Sequence, residues 1–120
     1  MSAALQVDVW LRGTDFAKTQ NITDVAADPS SWTDHDVSKL LKAMLLAIHR
    51  AKNPGSTDAT VYLRGFSWIV NPYESGGVVI ALELTLGAVV AGPFDIPERD
   101  LTAKIERVMA TDRDASQTVH

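Results

Sequence analysis

Apolar and polar residues alternate cleanly from Leu5 to Arg12, with Leu5, Val7, Val9 and Leu11 on one side and Gln6, Asp8, Trp10 and Arg12 on the other. Such alternation belongs to a strand with one buried face, and Gly13 ends it. Residues 14–33 hold no sustained period and are rich in Thr, Asp, Asn, Ser and Ala. They predict a long connection with one helical turn over 22–27, a candidate lid held to the body by Phe16 and Trp32.

The period then becomes helical. Thr33 is a good cap, Asp34 and Asp36 suit the positive end of a helix dipole, and Val37, Leu40, Leu41, Met44, Leu45 and Ile48 recur on one stripe. Lys39, Lys42, Arg50 and Lys52 occupy the other side, and Asn53-Pro54-Gly55 stops the helix. Leu46 falls outside the stripe, a place for a second helix or subunit to cover.

Residues 59–70 predict a second strand, with Tyr62, Arg64, Phe66 and Trp68 pointing one way and Val61, Leu63, Ser67 and Ile69 the other. Its start echoes the first: Val61-Tyr62-Leu63-Arg64-Gly65 against Val9-Trp10-Leu11-Arg12-Gly13. Residues 71–77 read as a hairpin turn, and a tight turn at Tyr73-Glu74 sets Trp68 opposite Val79 and Arg64 opposite Glu83. Val78, Ile80, Leu82, Leu84 and Leu86 then alternate with Val79, Ala81, Glu83 and Thr85, and Gly87 marks a bulge or a further short strand. The run over 76–94 is apolar enough to imitate a membrane span, but Glu83 would sit near mid-bilayer. Buried strands are the better reading. Gly92-Pro93 closes them, and Leu101, Ile105, Val108 and Met109 give a second helix its apolar stripe.

The predicted class is α+β, a two-layer α/β sandwich in the order β-α-β-β-(β)-α. A strand–helix–strand unit normally links parallel strands, so the sheet is expected to be mixed, with both helices on its aliphatic face. Residues 1–110 make one domain and 111–120 a polar C-terminal tail. The face away from the helices then carries Trp10, Arg12, Tyr62, Arg64, Phe66, Trp68 and Glu83, a concentration of rings and arginines typical of contact surfaces.

Composition narrows what that face can do. Fifteen acidic residues against eleven basic ones give a net charge of −4, with a pI near 5.2, which disfavours a nucleic-acid partner. With no cysteine, thiolate nucleophiles, disulfides and cysteine metal sites are excluded. His35, His49 and His120 show no metal-ligand spacing, there is no phosphate-binding glycine loop, and no cofactor motif is present. Asp34-His35-Asp36 resembles acid–base equipment, but capping at the positive end of a helix dipole explains both aspartates. The N-terminus has no basic-then-apolar leader, so a soluble cytoplasmic chain is expected. The expected function is non-catalytic binding through the aromatic and arginine-bearing face, as a homodimer or with a protein partner. The alternative is a small anionic ligand, or a small hydrolase, at the same face.

Overall fold

The computed structural model describes residues 2–26, 28–53, 63, 65–74 and 76–118. The alternation of Leu5 to Arg12 lies within β1 (Ser2–Leu11). The segment expected to be a connection holds a second strand, β2 (Lys18–Ala26), and a short 3-10 turn over Pro29–Ser31. There follow α1 (Asp34–Lys52), β3 (Ser67–Pro72), β4 (Val78–Leu84), β5 (Gly87–Phe94) and α2 (Glu98–Thr118). Residues expected as a polar tail continue α2 as far as Thr118. Likewise β5 runs through Gly92-Pro93, whose peptide bond is cis, to Phe94.

The fold is α+β, a five-stranded sheet in the order β2-β1-β5-β4-β3 beneath two helices. Every strand pair is antiparallel, so the sheet is not mixed as expected. The reason lies in β2. It leaves β1 through a hairpin, so the chain has already reversed before it enters α1. The strand–helix–strand rule still holds, but between β2 and β3, which run in the same direction at opposite edges of the sheet. β2 escaped the period argument because it is an edge strand. Ile22 is buried, while Thr19 and Asn21 are exposed and Lys18 and Gln20 only half-covered.

The core lies between sheet and helices. Val7 and Val9 of β1, Ile80 and Leu82 of β4 and Val89 of β5 meet Val37, Leu40 and Leu41 of α1 and Leu101 and Ile105 of α2. Trp32 is buried and meets Phe94 edge to face, ring centres 4.9 Å apart. Phe16, expected to pin the same segment, is instead 60% exposed.

α1 starts where the sequence says it should. The Asp36 N–H donates to the Thr33 hydroxyl (3.2 Å), and the Thr33 N–H donates to the Asp36 carboxylate (2.9 Å), a reciprocal capping box. Thr33→Ala is expected to cost about 1 kcal/mol, read as a lower urea midpoint with unchanged slope. Hydrogen bonding from the Thr33 backbone holds the Asp36 carboxyl below its ordinary value. A folded-state value below the unfolded one stabilises at pH above the ordinary aspartate range and is lost as pH falls through the folded value. The midpoint is therefore expected to drop on acidification below about pH 4, less steeply in Asp36→Asn.

Candidate functional site: the open sheet face

The helix-free face is set by the register of the β3–β4 hairpin. Ser67 pairs with Glu83, Trp68 with Leu82, Ile69 with Ala81 and Val70 with Ile80. The turn is longer than the tight one expected at Tyr73-Glu74. The Tyr73 N–H donates to the Gly77 carbonyl and the Gly76 N–H to the Tyr73 carbonyl, both at 3.0 Å. Gly76 and Gly77 take positive φ, +107° and +79°, which lets the chain reverse over the longer loop. The register moves by an odd number of residues, which exchanges the two faces of β3.

Trp68 therefore shares a side with Leu82 and Val70, not with the open face. It and Phe66 are half-buried and pack on the core. Ile69, expected in the core, is 51% exposed on the open side. Leu63 is buried as expected. Tyr62 and Arg64 lie outside the described residues, and the position across from Glu83 on β3 belongs to Ser67.

Two rows of side chains cross the open face. One runs Thr19–Asp8–Val90–Ala81–Ile69, the other Trp10–Ala88–Glu83–Ser67. Val79 lies on the same side, opposite Asn71. Trp10 is 38% exposed, the Thr19 hydroxyl donates to the Asp8 carboxylate at 3.1 Å, and Glu83 is exposed. The outward residues at the sheet's centre, Val79, Ala81, Ala88 and Val90, are half-buried aliphatics. A one-sided antiparallel sheet ordinarily turns polar residues outward. Here β4 and β5 are apolar on both faces, with Glu83 the exception.

Arg12, exposed at the end of β1, is held against the β4–β5 turn. Its Nε–H donates to the Thr85 carbonyl at 3.0 Å, and its backbone N–H donates to the Leu86 carbonyl at 2.8 Å. It clasps the β4–β5 turn from the end of β1. No family model, curated protein or solved structure matches the chain.

In the helix layer, Asp34 and Asp36 are each held by a neighbouring side chain or backbone group. Asp34 accepts from the Arg107 guanidinium, Nε to Oδ2 at 3.1 Å and Nη2 to Oδ1 at 3.1 Å, which ties the start of α1 to α2. The same contact holds its carboxyl below the ordinary value. With Asp36 engaged at the cap, both aspartates flanking exposed His35 serve the helix end. Among the described residues no group of three or more His, Asp or Glu is placed to hold a metal, and no helix is long and apolar enough to cross a membrane.

The signal missed in the sequence was the apolar content of both faces of β4 and β5. The uninterrupted Val78-Val79-Ile80-Ala81-Leu82 and Ala88-Val89-Val90-Ala91 runs already carried it.

Proposed function

We propose that this chain is a small binding protein that associates through the open sheet face, with a second copy of itself as the partner. The observation that carries the proposal is the aliphatic centre of that face, Val79, Ala81, Ala88 and Val90, bordered by Trp10 and Ile69. Small side chains on a twisted sheet suit another sheet, because two such faces can approach to about 10 Å. A self-complementary patch closes around a two-fold axis without leaving further sticky surface. Trp10 is the anchor, a ring type favoured at the energetic centre of interfaces.

Sedimentation equilibrium is expected to give twice the chain mass. Val90→Lys puts an unpaired cation at the middle of the patch, and the dimer is expected to weaken roughly a hundredfold. The monomer should keep its circular dichroism, since Val90 points away from the core. A wild-type monomer at high concentration, or a Val90→Lys dimer of undiminished affinity, overturns the reading.

A further inference from the structure

Beside β2 lies a cleft of about 300 Å³ between that strand and α1. Ile22, Ala43 and Leu46 form its apolar part, and Lys39, Lys42 and Arg50 its rim. No carboxylate is among the described residues that line it. On a chain of net charge −4 this is a local concentration of cations. Lys18 at the start of β2 adds to it, its Nζ 3.5 Å from the Ala51 carbonyl in the last turn of α1. Ile22, further along β2, meets the cleft with Ala43 and Leu46, earlier in α1. The helix therefore runs back alongside the strand.

β2 is also an edge. Among the described residues its one partner in the sheet is β1, so its outer backbone groups face away from the sheet, as an added strand requires. We infer that β2 and α1 together form a docking site for an extended acidic segment of a partner protein, which adds to the sheet beside β2 and sets alternate side chains against α1.

The spacing specifies the segment. Lys42, Leu46 and Arg50 are successive positions about 6 Å apart along a helix. Alternate residues of a strand are about 6.7 Å apart. An added strand with the pattern acidic–x–apolar–x–acidic thus places its carboxylates at Lys42 and Arg50 and its apolar side chain over Leu46. Charge decides between occupants. Two copies paired through β2 would set two Lys39–Lys42–Arg50 rims side by side, whereas an acidic strand neutralises one. This surface is separate from the open face and does not depend on it.

The probe is the eight-residue peptide Glu-Thr-Val-Thr-Glu-Thr-Val-Thr, acetylated and amidated and called the Glu–Val peptide, in which glutamate and valine alternate along one face; the Lys–Val control has lysine in place of each glutamate. In amide-resolved NMR titrations the Glu–Val peptide is expected to shift the backbone amides of β2 together with those of Leu46 and its neighbours. The Lys–Val peptide should leave them unmoved. The exposed double substitution Lys42→Ala with Arg50→Ala should weaken the Glu–Val peptide about tenfold, and Val90→Lys should not. The inference is overturned by unmoved β2 amides at millimolar peptide, by equal response to the two peptides, or by undiminished affinity in the double variant.

Discussion

Gly87→Val is expected to abolish the fold, with loss of strand circular dichroism and collapse of amide dispersion at 25 °C. Gly87 sits where three strands meet, paired with Leu11 of β1 and Leu84 of β4. A Cβ there would stand 2.0 Å from the Trp10 carbonyl oxygen and 2.9 Å from the Leu11 Cα, with φ at +148°. All these obstacles are backbone, so no side-chain rotation relieves them. The left-handed strain alone costs on the order of 1–3 kcal/mol, and overpacking about as much again. The damage also reaches the clasp by Arg12 on Thr85 and Leu86. That seam joins the β1–β2 hairpin to the β3–β4–β5 meander, so its failure divides the sheet. Against a total stability of about 5–15 kcal/mol these two terms remove a large part, and the divided sheet removes the rest. Gly87→Ala should fail in the same way, because the collision lies at the first side-chain atom. A Gly87→Val protein that melts within a few degrees of the wild type would show that β1 and β5 are not joined as described.

The parts of this fold that were legible in the sequence are those in which one face is buried and the other wet. The alternation of β1 and the stripes of α1 and α2 are direct imprints of a single apolar partner. β2 left no such imprint, since an edge strand needs few apolar residues, and its absence from the reading reversed the expected direction of everything after α1. The register of β3 was hidden for a different reason. Ser67-Trp68-Ile69-Val70 has apolar residues of both parities, so its pattern does not choose a face. Only the length of the 73–77 turn decides it. The candidate surface changed accordingly, since Trp68 and Phe66 moved to the core side while Val79, Ala81, Ala88 and Val90 became its centre.

That exchange of faces has an energetic consequence at adjacent residues. Trp68→Glu is expected to destabilise the monomer by about 3 kcal/mol or more, and Ile69→Glu by under about 1 kcal/mol. Full truncation of a core tryptophan costs about 3–5 kcal/mol. Trp68 is half-buried, which lowers that figure, but a carboxylate turned toward Leu82 and Val70 restores it through desolvation. Ile69 is 51% exposed, and a glutamate in its place remains hydrated. Both substitutions should be made in the Val90→Lys background, so that dimerisation contributes to neither, and compared by urea midpoint at constant slope. The register first read from the sequence predicts the opposite order, with Ile69 in the core and Trp68 in solvent. A larger loss at Ile69 than at Trp68 would restore that register, and with it Trp68 to the binding face. A larger loss at Trp68 leaves the binding surface to Trp10, Ile69 and the small aliphatic side chains of β4 and β5.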